Sequence, residues 1–329
     1  MAFDNINDEE AERLLNERDR DGGVNSVVSE APKTPPSLGK VASYETFGLP
    51  AVSESPWKLL DIEQLPSKGL FYPANIQLML RSARTSEIRH WSTIDENDPI
   101  DVREKINMIL HACTKFKVQG DPTVFNFNDF LEIDKYHILF RIHELTFPNQ
   151  ENKLWAFIKC ENPACATVNK VHVSSQNLTG FQYPEELMKW YSEKDRCFVI
   201  VSEKLGETFR IYLPNAGMTQ QLRLKRQEET ERTVKIDESF YINAPYLSNN
   251  WRRYDTQALA DLKSEVFGWG DNKFIVVHKF VDLLEKAKTN KVSCLCEKCK
   301  SKITSSIFLG GSFTVKDIFI ISAGLDELI

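Results

Sequence analysis

Apolar positions recur along the chain at two spacings. Ile76, Leu78 and Leu80 alternate with other residues, the period that turns one face of a strand into a core. After Asp101, Val102, Ile106, Ile109, Leu110 and Cys113 recur at helical spacing, which predicts a helix with Asp101 as its N-cap. Gly120-Asp-Pro122 breaks the chain. A second helix is predicted from Asn128 or Asp129, carrying Phe130, Ile133, His137, Phe140 and Leu145 and closed by Pro148. Strands follow over 154–159 ("LWAFIK") and 168–173 ("VNKVHV"), separated by a tight turn that Asn162 and Pro163 favour. A β pair is expected over 196–213, turning at Gly206, then a mostly polar helix over 218–232. Two more helices are predicted over 255–268 and 272–288, with Asp255 and Asp271 as caps. The second carries Phe274, Val277, Val281 and Leu284 as an apolar stripe. Residues 303–309 read as a strand, and 314–321 as a helix or a strand. This mixture predicts an α+β fold.

Residues 1–56 carry a different pattern. "DEEAERLLNERDR" over 8–20 predicts a short charged helix, and glycine, serine and five prolines follow. Such a stretch buries too little apolar area to offset its ordering entropy. It predicts a polar N-terminal arm, either a flexible tail or a segment that orders on a partner. The remainder divides into an LPSKG strand and helical region over 57–150, two cysteine-bearing halves over 151–175 and 290–329, and an inserted α/β region over 176–289.

Bulk composition narrows the classes. The chain has 329 residues, of which 42% are apolar, enough for two or three folded units. A net charge of −6 argues against a general nucleic-acid clamp, which needs a basic surface to release counterions. The acidic start lacks the positive region of a signal peptide. No apolar run approaches the roughly 18–20 residues that span a bilayer. A reducing, cytosolic place of synthesis is therefore expected.

Three of the seven cysteines crowd into "CLCEKCKS" at 294–301. Cys160 and Cys165, with four residues between them, occupy a similar turn between strands. Two such turns, with Cys296 and Cys299 in the second, supply four thiolates about 2.3 Å from one zinc ion. With every position filled by protein, Zn2+ there is structural rather than catalytic. The expectation is a split four-cysteine zinc ribbon. A disulfide, free thiols, or a ligand set that includes Cys294 or His172 are the alternatives. Cys113 and Cys197 lie in apolar stretches and read as small core residues. No phosphate-binding glycine loop, GxSxG elbow or HExxH motif is present, so no enzyme is expected.

"LPSKGLFYP" at 65–73 is the other unusual segment. Pro66 and Gly69 make a good turn, with Phe71 and Tyr72 as an aromatic pair behind it. This segment leads to the strand at 76–80, then "RSARTSEIRHWSTID", a helix and a cysteine turn. The order resembles baseplate hub and hub-assembly proteins of contractile-tailed, T-even-type bacteriophages over 60–175 and the C-terminal cysteine turn. Thr85-Ser-Glu87 stands where that family has a T-x-E-E region, without the second acid. The resemblance implies a non-enzymatic virion or assembly protein, made in the host bacterial cytoplasm and placed in the tail baseplate among other tail proteins. Phe71 and Tyr72, and Trp251, Arg252, Arg253 and Tyr254 ("WRRY"), are the candidate partner-binding residues, because Trp, Tyr and Arg dominate binding hot spots. A second class stays open: a zinc-ribbon nucleic-acid-binding protein, using Lys298, Lys300, Lys302 and the basic "LRLKRQ" at 222–227.

Overall fold

A computed structural model describes residues 56–148, 154–181, 185–232, 235–253, 256–306 and 314–320. The predicted arm and its charged helix lie outside the described residues apart from Pro56. Strand β1 (Lys58–Leu60) pairs antiparallel with β2 (Ile76–Leu80), and β2 with β3 (Thr114–Val118). Leu78 and Leu80 of β2 are buried and Gln77 is exposed, as alternation requires. β3 is not among the predicted elements, although Thr114, Phe116 and Val118 are buried between exposed lysines. It follows α2 without a break, so the helical period masks it.

Helix α1 (Thr85–Trp91) and α2 (Pro99–Cys113) lie between β2 and β3. The cap of α2 is Asp98, not Asp101: Asp98 Oδ1 accepts the Ile100 amide at 2.8 Å, and Pro99 needs no partner at the first helical position. Asp101 instead sits in the first turn, where a negative charge suits the helix dipole. The second predicted helix starts later than expected. Phe127–Asp129 form a 3-10 turn, and α3 covers Lys135–Thr146. Phe130 and Ile133 are buried on the approach to the helix rather than along it.

Strands β4 (Leu154–Lys159) and β5 (Val168–Val173) form an antiparallel hairpin with the predicted bounds. After β6 (Leu178–Phe181) and the single turn α4 (Glu185–Met188), β7 (Tyr191–Ser192), β8 (Cys197–Ser202) and β9 (Glu207–Ile211) make a three-stranded meander. Four helices follow: α5 (Ala216–Glu231), α6 (Glu238–Asn243), α7 (Thr256–Phe267) and α8 (Asp271–Ala287). Gly270 holds the N-cap position of α8 and Asp271 the first turn. Asp255 lies outside the described residues. β10 (Lys288–Leu295) and β11 (Lys302–Ser306) close the second cysteine hairpin, and β10 also pairs with β6. Lys316–Ile318 form a short 3-10 turn.

These elements make an α+β fold with one shared interior. Leu78, Ile109 and Phe140 meet Ile158 and Val292 of the two hairpins and Phe198 and Val281 of the 176–289 stretch in one cluster. Trp91 packs edge-on against Phe319, ring centres 5.0 Å apart. Leu222, Phe240, Ala244, Leu259 and Val266 form a smaller cluster among the later helices. Among the described residues no helix is long and apolar enough to cross a membrane.

The LPSKG turn is built from below. Lys68 and Gly69 both adopt positive φ, 51° and 71°. The Ser67 amide donates to Asp134 Oδ1 at 2.9 Å, and the Tyr72 hydroxyl donates to Asp134 Oδ2 at 2.9 Å. Tyr72 also accepts the Leu131 amide at 3.1 Å. Asp134 is fully buried. Burial pushes its carboxyl up to about 6, against the opposing pull of the Ser67 and Tyr72 hydrogen bonds.

Candidate metal centre

Each cysteine turn is shaped by its own backbone. In the first, the Cys160 amide donates to Thr167 O at 2.8 Å and the Cys165 amide to Asn162 O at 2.9 Å. In the second, the Cys296 amide donates to Ser301 O at 2.8 Å and the Lys300 amide to Cys296 O at 2.9 Å. Ala166 and Lys300, each the residue after the second cysteine of its turn, adopt positive φ of 46° and 60°. This left-handed step folds the chain back under the sulfurs. The four intervening residues of the first turn thus reach the same end as the two of the second.

The hairpins bring Cys160, Cys165, Cys296 and Cys299 together, with all four Sγ atoms within 4.8 Å of one another. Cys160 and Cys299 are 3.6 Å apart, and Cys165 and Cys296 are 3.7 Å apart, sulfur to sulfur. Four bonds of about 2.3 Å in a tetrahedron put sulfurs about 3.8 Å apart. The cluster therefore has the spacing and donor chemistry of a four-thiolate metal site. Cys160 and Cys296 are buried, Cys165 is half-buried and Cys299 is exposed.

The surroundings favour thiolates at Cys296 and Cys299. The Cys299 and Lys298 amides draw Cys296 below the usual thiol range, against burial. The Ser301 hydroxyl and amide draw Cys299 down to about 6. The Ser301 hydroxyl and Asn162 amide act the same way on Cys160, but burial and the Cys299 and Cys296 sulfurs push it up, and the net direction is upward. Four crowded sulfurs cannot all shed protons without a cation between them. A dication removes that conflict.

Two residues outside the expected ligand set position the site. Ser301 Oγ lies 3.0 Å from Cys299 Sγ and 3.6 Å from Cys160 Sγ, bridging the two turns. Asn169, 1% exposed, donates through Nδ2 to Ile158 O and Thr167 O at 3.2 and 3.1 Å. Its Oδ1 accepts the Glu297 amide of the other turn at 2.8 Å. An asparagine in an otherwise alternating strand was the available signal.

The competing ligands are placed elsewhere. Cys294 pairs with Ile303 within the β10–β11 ladder and is not in the cluster. His172 faces Trp155 across β4 and β5, ring centres 5.6 Å apart. Cys113 and Cys197 are buried, and burial raises both thiols, Cys113 to about 12.

The expected partner-facing residues divide. Phe71 and Tyr72 are buried, 8% and 2% exposed, so their side chains are committed to the core. Phe71 packs edge-on against Tyr191 and tilted against Phe198, with ring centres 5.2 Å apart in each pair. Trp251 and Arg252 form a clamp on Asp129. Trp251 Nε1 donates to Oδ1 at 3.0 Å, and Arg252 donates to Oδ1 and Oδ2 at 2.8 and 2.7 Å. Gly217 makes room for the indole, since a Cβ there would lie 2.5 Å from the Trp251 ring. Arg252 remains exposed. Tyr254 and the Arg253 side chain lie outside the described residues. No protein-family model, curated protein or solved structure matches this chain, so the site rests on its own geometry.

Proposed function

We propose that the chain is a non-enzymatic structural or assembly protein in which a zinc ion on Cys160, Cys165, Cys296 and Cys299 staples the C-terminal hairpin to the body. The observation that carries this reading is the clustering of four sulfurs, all within 4.8 Å of one another, drawn from two hairpins, with Cys165 and Cys296 131 residues apart. Zinc has no redox chemistry and no strong geometric preference beyond the tetrahedron these ligands offer. Four protein ligands leave no position for water or substrate, so the metal's part is to hold shape.

The setting we put forward is the baseplate hub region of a contractile bacteriophage tail, with synthesis in the host bacterial cytoplasm and other tail proteins as partners. Support comes from the LPSKGLFYP segment, the strand behind it, Thr85-Ser-Glu87 and the order of the cysteine turns. Arg252, with its exposed edge, belongs to the surface offered to those partners. Loss of the gene should yield particles without complete baseplates. Normal baseplates in its absence would refute the setting. Native mass spectrometry tests the staple: one zinc per chain is expected, lost in the Cys296→Ser/Cys299→Ser variant. A metal-free chain with two protons missing per cysteine pair would mean disulfides.

A nucleic-acid reading has one observation in its favour: Lys298, Lys300 and Lys302 are all exposed beside the second turn. It requires binding that weakens steeply with salt. Absence of binding at low salt removes it.

A further inference from the structure

Positive charge gathers on the two cysteine hairpins. Over 154–173 and 288–306 stand seven lysines, no arginine and two acids, Glu161 and Glu297. With a net −6 for the whole chain, this excess of five leaves −11 on the rest. Four thiolates on a dication take away two charges, and the hairpins stay positive. Lys288 pairs with Glu285 at 2.9 Å. Among the described residues the other six, Lys159, Lys170, Lys291, Lys298, Lys300 and Lys302, make no ion pair within 4.0 Å, and all are exposed.

The strand period sorts the first hairpin into two faces. Leu154, Ala156 and Ile158 of β4 are buried. Trp155, Phe157 and Lys159 stand on the other face, directly across from His172, Lys170 and Val168 of β5. Phe157 is 50% exposed and Val168 59%. The Lys170 ammonium lies 4.5 Å from the centre of the Trp155 ring. Lys159 precedes Cys160, whose sulfur is 3.6 Å from that of Cys299. Lys298 and Lys300, on either side of Cys299, therefore come to the same end of the hairpin. An exposed aromatic ring thus stands in a field of unpaired lysines.

Lysine without arginine suits phosphate better than a protein partner. Lysine is depleted at protein interfaces, but it meets phosphate as a point charge. A ring between cations suits a base whose neighbours are phosphates, and only an unpaired strand offers the faces of its bases. We propose that the outer face of the β4–β5 hairpin binds single-stranded nucleic acid, with a base stacked on Phe157 and phosphates on Lys159, Lys170, Lys298 and Lys300. Stacking and phosphate contact do not read the sugar, so DNA and RNA bind alike. The proposal rests on the nucleic-acid reading above and adds to it a strand state and a face. It is compatible with a scaffold role, because the acidic remainder of the chain stays outside the contact.

Fluorescence anisotropy on the full chain tests this, with labelled oligo-dT, oligo-U, a duplex of the same length and polyglutamate as probes. Saturable oligo-dT binding is expected at 50 mM salt, with a dissociation constant on the order of 10 μM. Four phosphate contacts should weaken it about 50-fold by 200 mM salt. Oligo-U should match it, and the duplex and polyglutamate should bind at least about tenfold more weakly. Phe157→Ala should cost about tenfold at an unchanged salt slope. Lys298→Gln/Lys300→Gln should reduce that slope by about 1.4. Lys204→Gln, in the β8–β9 turn, should change neither. Circular dichroism reports whether each variant is folded, and Lys159→Gln/Lys170→Gln repeats the test of the face without touching an aromatic. Absence of oligo-dT binding at low salt overturns both this proposal and the nucleic-acid reading. Duplex bound as tightly as the single strand, or full affinity in folded Phe157→Ala and Lys159→Gln/Lys170→Gln, overturns the face and leaves the lysines of the second turn as the site. Polyglutamate bound more tightly than oligo-dT overturns it in favour of an acidic protein partner.

Discussion

Asn169 Oδ1 accepts the backbone amide of Glu297 at 2.8 Å, joining two cysteine turns that lie 128 residues apart in sequence. The bond ties the second turn to the first through protein alone. The same side chain donates to Ile158 O and Thr167 O, so its position is fixed from its own hairpin before it meets the other.

Asn169→Leu should therefore loosen the metal site without touching a ligand. It removes the Glu297 amide's partner from a part-buried bond, a cost of about 1 kcal/mol. Loss of an outer-shell partner typically lowers metal affinity about 10–100-fold. Zinc release to a chromogenic chelator, followed beside urea unfolding, measures both. An unchanged release rate would show that the thiolates alone set the site.

Removing the ligands themselves should do more. Cys296→Ser/Cys299→Ser, or chelation of the native chain, opens a loop of more than a hundred residues. Loop-closure entropy alone puts that cost at about 5 kcal/mol. The urea midpoint should fall, and the β10–β11 hairpin should lose amide protection before the β1–β2–β3 sheet does. Hydrogen exchange read by mass spectrometry separates the two regions.

Asp134 gives a pH dependence of unusual sign. Its carboxyl is raised in the fold to about 6, from an ordinary 3.8. Between those values the folded chain holds a proton that the unfolded chain has released, so stability falls as pH rises through that window. At about 1.4 kcal/mol per unit the loss from this one group is about 3 kcal/mol by pH 7. Asp134→Asn keeps an acceptor for Ser67 and removes the proton. The stability difference between variant and native chain should shift by that amount between pH 4 and pH 7. A constant difference across the range would refute the buried-acid account.

Arg252→Ala distinguishes a clamp from a docking residue. The guanidinium holds Asp129 through two hydrogen bonds and lies 5.0 Å from the Trp251 ring centre. Its loss should lower the isolated chain's stability by about 1 kcal/mol, the upper end for an exposed bidentate ion pair. Trp251 fluorescence should change as the indole loses that neighbour. A variant as stable as the native chain, with binding of a partner protein lost, would assign Arg252 to partners alone.

The four clustered cysteines are legible in the sequence because their signal is local. Each pair sits in a turn between strands with a clear period. Meeting across the fold then needs only that the hairpins face each other. Asp134 is not legible, because a helical period of apolar residues runs past it and makes it look like one more polar position. Its role comes from Ser67 and Tyr72, more than sixty residues away. The same holds for Asp129, which reads as a helix cap until Trp251 and Arg252 arrive from the far side of the chain. The aromatic pair at 71–72 misleads for a related reason: exposure depends on what packs above a residue, and here that is the β7–β8 region over Phe71 and Phe116, Leu131 and Asp134 around Tyr72. β3 is hidden by its direct continuity with α2.

The split of the metal site also sets a schedule for synthesis. Cys165 leaves the ribosome 131 residues before Cys296. At about 5–20 residues per second the interval is on the order of ten seconds. Throughout it the first two thiols can hold an ion only with borrowed ligands. The meander and most of the later helices emerge in that interval, while the hairpin that completes the site does not yet exist. Closure therefore waits for the second hairpin, and a product lacking that hairpin could not form the four-sulfur cluster. Four-fold ligation thus reports that both hairpins have folded and met.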